Sequence, residues 1–291
     1  MVLETGLAKP CAIRRMAESD IPEAISLTRP LSWNQTEEDW QRFLSLEPHG
    51  CFVAVSEGEV VATTTTGLFG GVGWVGMVTV SAGLRGQGLG RAMMQEAIRY
   101  LRARGARTIK LDATPMGKPL YDRLGFREEY GLQRVVGIGV KLEVESVTPL
   151  GRAGVEAFDA LLDLDRSAYF IDRSQMIARL VAGWPQLAAL HTSAGIVDGY
   201  IVGRHGFLYE HLGPMVATNK QAADSLLRWG MACATGMRVV LDRPDANSRA
   251  CGLAESYGFE PLRQFTRMHL GREPYLDAPE LIFATSGAEK G

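Results

Sequence analysis

The stretch "VSAGLRGQGLGRAMMQEAIRYL", residues 80 to 101, sets Gly86, Gly88 and Gly90 between Arg85 and Arg91 and then runs straight into a helical pattern. Glycines at this density let the backbone take positive φ and turn consecutive N–H groups to one side with no Cβ in the way. From Leu89 onward, apolar residues recur at Met93, Ala97, Tyr100 and Leu101, a helical spacing that Gly105 closes. A helix start directly behind such a loop offers unpaired N–H groups and the positive end of the dipole. The stretch therefore predicts an anion nest, to which both arginines add charge. The Walker A pattern does not fit, because no Gly-Lys-Ser/Thr follows the required gap. The Rossmann fingerprint fails on its spacing and on the meander that precedes it.

Outward from the loop, strand and helix signals alternate. "CAIRRM" from residue 11 reads as a strand, and "SDIPEAISLT" as a helix in which Asp20 caps and Glu23 replies. Thr36 and Asp39 repeat that arrangement for "TEEDWQRFLSL". "CFVAVS", "VVATTTTGLF" and "WVGMVTVS" follow with tight turns between them, an antiparallel meander. After the glycine loop and its helix come a strand "RTIKLDAT", a short helix in "GKPLYDRLGF" and closing strands in "LQRVVGIGVKLEV". A strand, helix, strand unit demands a crossover, hence one parallel pair.

Periodicity lapses around "EVESVTPLGRAG", and then the same order of elements starts again. Gly76-Met77-Val78 matches Gly213-Pro214-Met215, and Gly125-Phe126 matches Gly258-Phe259. Where the first half has "SAGLRGQGLGR", the second has the shorter "TNKQAAD", so the repeat lacks the glycine loop. The expected fold is α/β, of the α+β mixed-sheet kind. It has two tandem lobes, 1-145 and 146-291, each a mixed, mostly antiparallel sheet flanked by helices.

Composition excludes several functions. The 31 Lys and Arg are spread beside 33 Asp and Glu for a net charge of -2, so no basic stripe points to nucleic acid or an anionic membrane. Cys11, Cys51, Cys233 and Cys251 show no Cys-x-x-Cys pairing, which argues against a zinc site and a disulfide scaffold and for reduced thiols in a cytoplasm. His49, His191, His205, His211 and His269 have no metal-ligand spacing. "MVLETGLAKPCAIRRM" lacks the apolar core of a signal peptide, and no run reaches the ~18 apolar residues of a membrane span. The expected location is cytoplasmic.

Arg85-Gly86-Gln87-Gly88-Leu89-Gly90 resembles the Arg/Gln-x-x-Gly-x-Gly/Ala signature of the GNAT superfamily of N-acetyltransferases. "MVTVSAGLRGQGLGRAMM" and "PLYDRLGF" resemble that family's strand, loop, helix and Tyr-x-x-x-Gly-Phe pattern in order. The resemblance covers residues ~11 to 142, and the second half resembles a degenerate copy, as in tandem GNAT proteins. It implies acetyl-CoA as acyl donor, with the pyrophosphate on the N–H groups of Gly86, Gln87, Gly88, Leu89, Gly90 and Arg91, assisted by Arg85. The pantetheine arm would pair to Val78 and Val80. It also implies Tyr121 as the acid that serves the departing thiolate, and Trp33 and Trp40 as walls of the acceptor pocket. In the second half, Asn219 and Gln221 replace the loop glycines and Ala254 aligns with Tyr121, which leaves one active site, in the first lobe.

Acetyl transfer needs a neutral amine, yet an alkyl ammonium with pKa about 10.4 is almost wholly charged at pH 7. A base must take the proton. GNAT enzymes often carry a glutamate on the strand before the loop, but "GWVGMVTV" has no ionisable residue. Asp112 is the first candidate, directly or through water, with Glu47 second; the resemblance implies the Val78 N–H as the group that polarises the carbonyl. The sequence thus describes an acyltransferase that acetylates a primary amine of a small molecule by direct attack. The implied partners are that amine acceptor and, at most, further copies of the chain as a homo-oligomer, with no nucleic acid, membrane or metal. A non-catalytic acyl-CoA sensor is the competing reading; a protein-lysine acetyltransferase is a third.

Overall fold

The computed structural model describes residues 2–3, 10–153, 155–271 and 277–289. Residues 4–9, in the N-terminal stretch scanned for a signal peptide, lie outside the described residues. The first half runs β1 (Val2–Leu3), β2 (Cys11–Arg15), α1 (Ile21–Thr28), α2 (Glu37–Leu46), β3 (Phe52–Ser56), β4 (Glu59–Phe69), β5 (Val72–Val80), α3 (Leu89–Ala103), β6 (Thr108–Ala113), α4 (Lys118–Arg123) and β7 (Arg127–Ile138). The second adds β8 (Val147–Pro149), α5 (Val155–Tyr169), α6 (Ser174–Gly183), β9 (Ala188–Ser193), β10 (Ile196–Arg204), β11 (Glu210–Ala217), α7 (Lys220–Cys233), β12 (Arg238–Pro244), α8 (Ser248–Ser256), β13 (Glu260–Leu270) and β14 (Ile282–Ala284). From β3 to β7 and from β9 to β13 the order of elements is the same, as the repeat predicts.

Alternation along β3 shows how the helices cover both faces of the sheet. Phe52 and Ala54 pack with Leu89 and Met93 of α3, while Val53 packs with Ile21 of α1 and Trp40 of α2. Successive strand residues point to opposite faces, so one short strand divides two cores. Met93 and Met94 are wholly buried core residues.

The strands form one mixed sheet in the order β1-β2-β3-β4-β5-β6-β13-β7-β12-β11-β10-β9-β8, with β14 beside β11. Parallel pairs occur where crossovers demand them: β5 with β6 through α3, and β11 with β12 through α7. The order also contains a feature that repeat reading did not anticipate. The last repeat strand of each half crosses over, so that β13 pairs with β6 of the first half and β7 with β12 of the second.

A buried ion pair fastens each exchange. Arg134 of β7 donates two hydrogen bonds of 2.6 Å to Asp242 of β12. Arg267 of β13 donates bonds of 2.9 and 3.0 Å to Asp112 of β6. Asp112 and Asp242 hold corresponding places in the repeat, as do Arg134 and Arg267, so the two clamps are copies of each other.

Local differences from the sequence reading have simple causes. Asp20 does not cap α1 with its side chain; its carboxylate accepts from the Ala17 N–H at 2.8 Å and from Arg14. Glu23 instead accepts from the Val60 N–H at 2.6 Å, tying α1 to β4. Asp39 does accept from the Thr36 N–H, at 3.1 Å. In the stretch where periodicity lapses, Val147–Pro149 forms β8 against β9. No helix among the described residues is long and apolar enough to cross a membrane.

Candidate active site in the first lobe

A cavity of about 980 Å³ opens where β5 and β6 part. The two strands pair only from Val72 to Trp74 against Thr108 to Lys110, and beyond that point β5 presents its edge to the cavity. Met77, with φ of 52°, marks a bulge opposite Thr64 that turns the strand. Both Val78 and Val80 line the cavity, and the Arg85 guanidinium donates to the Val80 carbonyl at 3.0 Å.

At the Val80 end lies the glycine loop. Gly88 is the N-cap residue of α3, at φ of 89° and with no side-chain cap, and Gly86 has φ of 76°. A Cβ at either would meet nothing within 4 Å, so the requirement for glycine is conformational and the space before the loop is open. The first N–H groups of α3 have no intrahelical partner there. Gly86, Gly88, Gly90, Arg85 and Arg91 line the cavity. Two residues of the motif face elsewhere: Gln87 reaches back to the Gly83 carbonyl at 3.1 Å, and Leu89 is buried in the core beneath β3.

Tyr121, on α4, lines the same cavity and packs its ring against Phe126 at 6.0 Å. Burial raises its pKa well above the ordinary phenol value. The hydroxyl therefore keeps its proton at neutral pH and is a standing donor.

The carboxylates expected as bases are occupied. Glu47 accepts from the Tyr100 hydroxyl at 2.5 Å and from Arg104 at 2.7 Å at the end of α2, away from the cavity lining. Asp112 does line the cavity, but both its oxygens face Arg267 and its side chain is wholly buried. Burial pushes its carboxyl up against the opposing pull of the Arg267 charge.

Sequence reasoning missed a third carboxylate. Residues 285–289, beyond β14, pass into the first lobe and place Glu289 on the cavity wall against Gly76, where a Cβ would come within 2.7 Å of the Glu289 carbonyl oxygen. Arg204 donates to Glu289 at 2.7 Å and to Asp39 at 3.1 Å, and Arg42 donates to Asp39 at 2.7 Å, a buried charge chain that joins the two halves. A polar tail such as "TSGAEKG" carries no periodic signal from which this position is readable. Trp33 also lines this end of the cavity, whereas Trp40 is core, edge-on to Phe43.

The corresponding wedge of the second lobe is closed by the chain itself. β11 and β12 pair only at Glu210 and His211, and a bulge at Gly213-Pro214 repeats the one at Met77. Here β14 fills the gap by pairing Ile282 and Ala284 with Val216 and Met215. At the start of α7, Asn219 accepts from the Ala222 N–H at 2.9 Å and donates to Asp198 at 3.2 Å. The helix start is capped from within and has a carboxylate beside it. His211 is buried against the Thr285 carbonyl, and desolvation, helped by Arg204, lowers its pKa to about 3, so it stays neutral. Among the described residues no cluster of His, Cys, Asp and Glu is arranged to hold a metal.

Residues 15–126 match the acetyltransferase (GNAT) family, and residues 161–284 match an acetyltransferase (GNAT) domain. The chain belongs to the GNAT acyltransferases, with two domains of the family in tandem. It is 23% identical to the holothin acyltransferase of a Pseudoalteromonas strain over 244 residues, 83% of this chain and 82% of that one. A crystal structure from Pyrococcus horikoshii superposes with a TM-score of 0.85 at 20% identity, covering 100% of this chain and 98% of the other. A tandem GNAT protein from the clavulanic acid biosynthesis pathway shares the fold with a TM-score of 0.60 at 14% identity, over 91% of this chain and 99% of that one.

Proposed function

We propose that the first lobe of this tandem GNAT enzyme transfers an acetyl group from acetyl-CoA to a primary amine of a small molecule, by direct attack of the amine on the thioester. One contrast carries the reading. The β5 edge and the α3 start are open in the first lobe, while β14 and Asn219 close their counterparts in the second.

In this reading the N–H groups of residues 86–91, with Arg85 and Arg91, hold the diphosphate, and the β5 edge at Val78 and Val80 pairs with the pantetheine arm. The Val78 N–H polarises the thioester carbonyl. The acceptor gives up its ammonium proton to water before attack; the neutral nitrogen then bonds to the carbonyl carbon, the carbon-sulfur bond breaks, and the second nitrogen proton leaves through water. Tyr121 donates its O–H to the departing sulfur. Asp112, the base expected from sequence, is in this reading the clamp that fixes β13 beside β6, because its copy Asp242 makes the same bidentate pair beside a wedge that β14 fills.

A small acceptor is supported by the walls of the far end, where the second half contributes Arg263, Phe265 and Glu289 and narrows the approach a protein lysine would need. The holothin acyltransferase is, by its name, an acyltransferase as well. No disulfide joins the four cysteines, which fits a reducing, cytoplasmic setting. The test is release of CoA thiol from acetyl-CoA across a panel of primary amines. Turnover with at least one amine is the expected result. Donor binding without turnover anywhere, together with a silent Tyr121→Phe change, would favour the sensor reading instead.

A further inference from the structure

The cavity runs along β5. Its Val80 end meets Gly90, and its Gly76 end meets Glu289, four strand residues or about 13 Å away. Arg263 of the exchanged strand β13 also lines the cavity. It reaches the first lobe only because β13 has crossed over, and it donates one hydrogen bond, 3.1 Å long, to the Leu31 carbonyl between α1 and α2. No carboxylate among the described residues forms an ion pair with it. Burial, and then the neighbouring Arg134 charge, lower its pKa. Arg134, which also lines the cavity, gives its Nε and one terminal nitrogen to Asp242.

A half-buried guanidinium has five N–H donors in a planar fork, which suits carboxylate and phosphate oxygens. This one faces a cavity, gives one bond to a carbonyl and stands beside a second positive charge. The arginines at the phosphate-binding end, Arg85 and Arg91, lie at the other end of β5, so the diphosphate of the donor has its own partners there.

We propose that the acceptor is an amine that also carries an anionic group, a carboxylate or a phosphonate-like acid, which Arg263 binds. This rests on the reading of the first lobe as the site of amine acetylation and adds to it the substrate class. The anionic group of an amino-acid-like acceptor then meets a cation supplied by the second half, from β13. The degenerate lobe thereby becomes the specificity element of the working one.

Three matched series test this: α-amino acids such as glycine, alanine and phenylalanine; the corresponding α-aminophosphonates; and the amines that lack the acid group. A charge-assisted pair predicts kcat/KM about 10- to 100-fold higher for an acid-bearing series than for the neutral amines. Arg263→Gln removes the preference and Arg263→Lys restores part of it, with CoA affinity unchanged in both. Preference for one acid series tells which group the site takes. Neutral amines used equally well, or a preference that survives Arg263→Gln, overturns the proposal and leaves acetyl transfer standing. Calorimetric titration of the CoA-bound protein with N-acetylglycine and N-acetylmethylamine separates the opposite failure. Selective binding of the acid, lost in Arg263→Gln, sustains the proposal even if no amine is turned over, whereas equal binding of the two probes overturns it.

Discussion

The two halves carry the same strand bulge, the same brief parallel pair and the same helix behind it, yet the wedge of one opens on a cavity and that of the other is filled by a strand. In the first, β5 and β6 part around a cavity and α3 starts on an uncapped glycine at positive φ. In the second, β14 pairs with the strand edge and Asn219 satisfies the helix start. The difference lies in whether the backbone groups of the wedge have partners within their own chain, since the framework is shared. Unpaired strand edges and helix N-termini are what a thioester carrier with a diphosphate can use. The segment that closes the second wedge then continues to Glu289, so the loss of one site supplies a wall of the other.

The exchange clamps offer the largest effect by which to break the comparison. Asp242→Asn deprives the buried Arg134 guanidinium of its paired carboxylate and should cost about 3–5 kcal/mol in urea unfolding, whereas Asp112→Asn leaves Arg267 its 2.9 Å bond to Asp277 and should cost less. If Asp112→Asn instead abolished turnover with stability intact, the first-lobe aspartate would be a base after all and the symmetry between the halves would be broken.

At the glycine loop, Gly88→Val forces a β-branched residue to φ of 89° and covers the helix start. Loss of two charge-assisted hydrogen bonds at roughly 1.5 kcal/mol each weakens CoA binding by about 100-fold or more, read by calorimetry. Tyr121→Phe should lower kcat by about 100-fold and leave that affinity unchanged. Because burial raises the Tyr121 pKa, wild-type activity has no alkaline limb from this phenol below its ordinary value of 10.0.

Much of the first-lobe site was legible in the sequence because its signals are local: glycines at fixed offsets before a helical period, and Tyr121 five residues before Phe126. What stayed hidden is non-local. β7 reads as a strand whichever sheet it joins, since alternation reports burial and not the identity of the neighbour, and β13 lies beyond the stretch in which the repeat was read. The clamps, Arg263 and Glu289 all depend on that exchange or on the segment after β14. Asp112 looked like a base because its partner lies 155 residues away in sequence.

The clamps also differ in acid. Burial raises the Asp112 carboxyl, whereas for Asp242 the Arg134 charge and hydrogen bonds outweigh burial and hold it below its ordinary 3.8. Asp242 therefore adds stability above the ordinary carboxylate range. That stability is lost as pH falls through and below 3.8, because the unfolded chain then binds the proton more readily. Asp112 has the opposite sign and takes its proton first. Carboxyl-carbon NMR during an acid titration should show this order, and simultaneous protonation would mean that the two environments are equivalent.

The smallest expected effect gives the sharpest test of what closes the second wedge. Asn219→Gly removes the cap and restores a loop-like residue at the start of α7, at a cost of a few tenths of a kcal/mol, about what an Asn to Gly change at an N-cap carries. It should create no affinity for CoA, because Ile282 and Ala284 still pair with the strand edge that a pantetheine arm would need, and Asp198 still sets a negative charge beside the helix start. A saturable calorimetric signal from this variant with Gly88→Val also present, so that the first lobe is silent, would show that the cap alone had kept the second lobe empty. In that case the strand edge filled by β14 would be dispensable for binding, and the open edge of β5 would lose its place as half of the donor site.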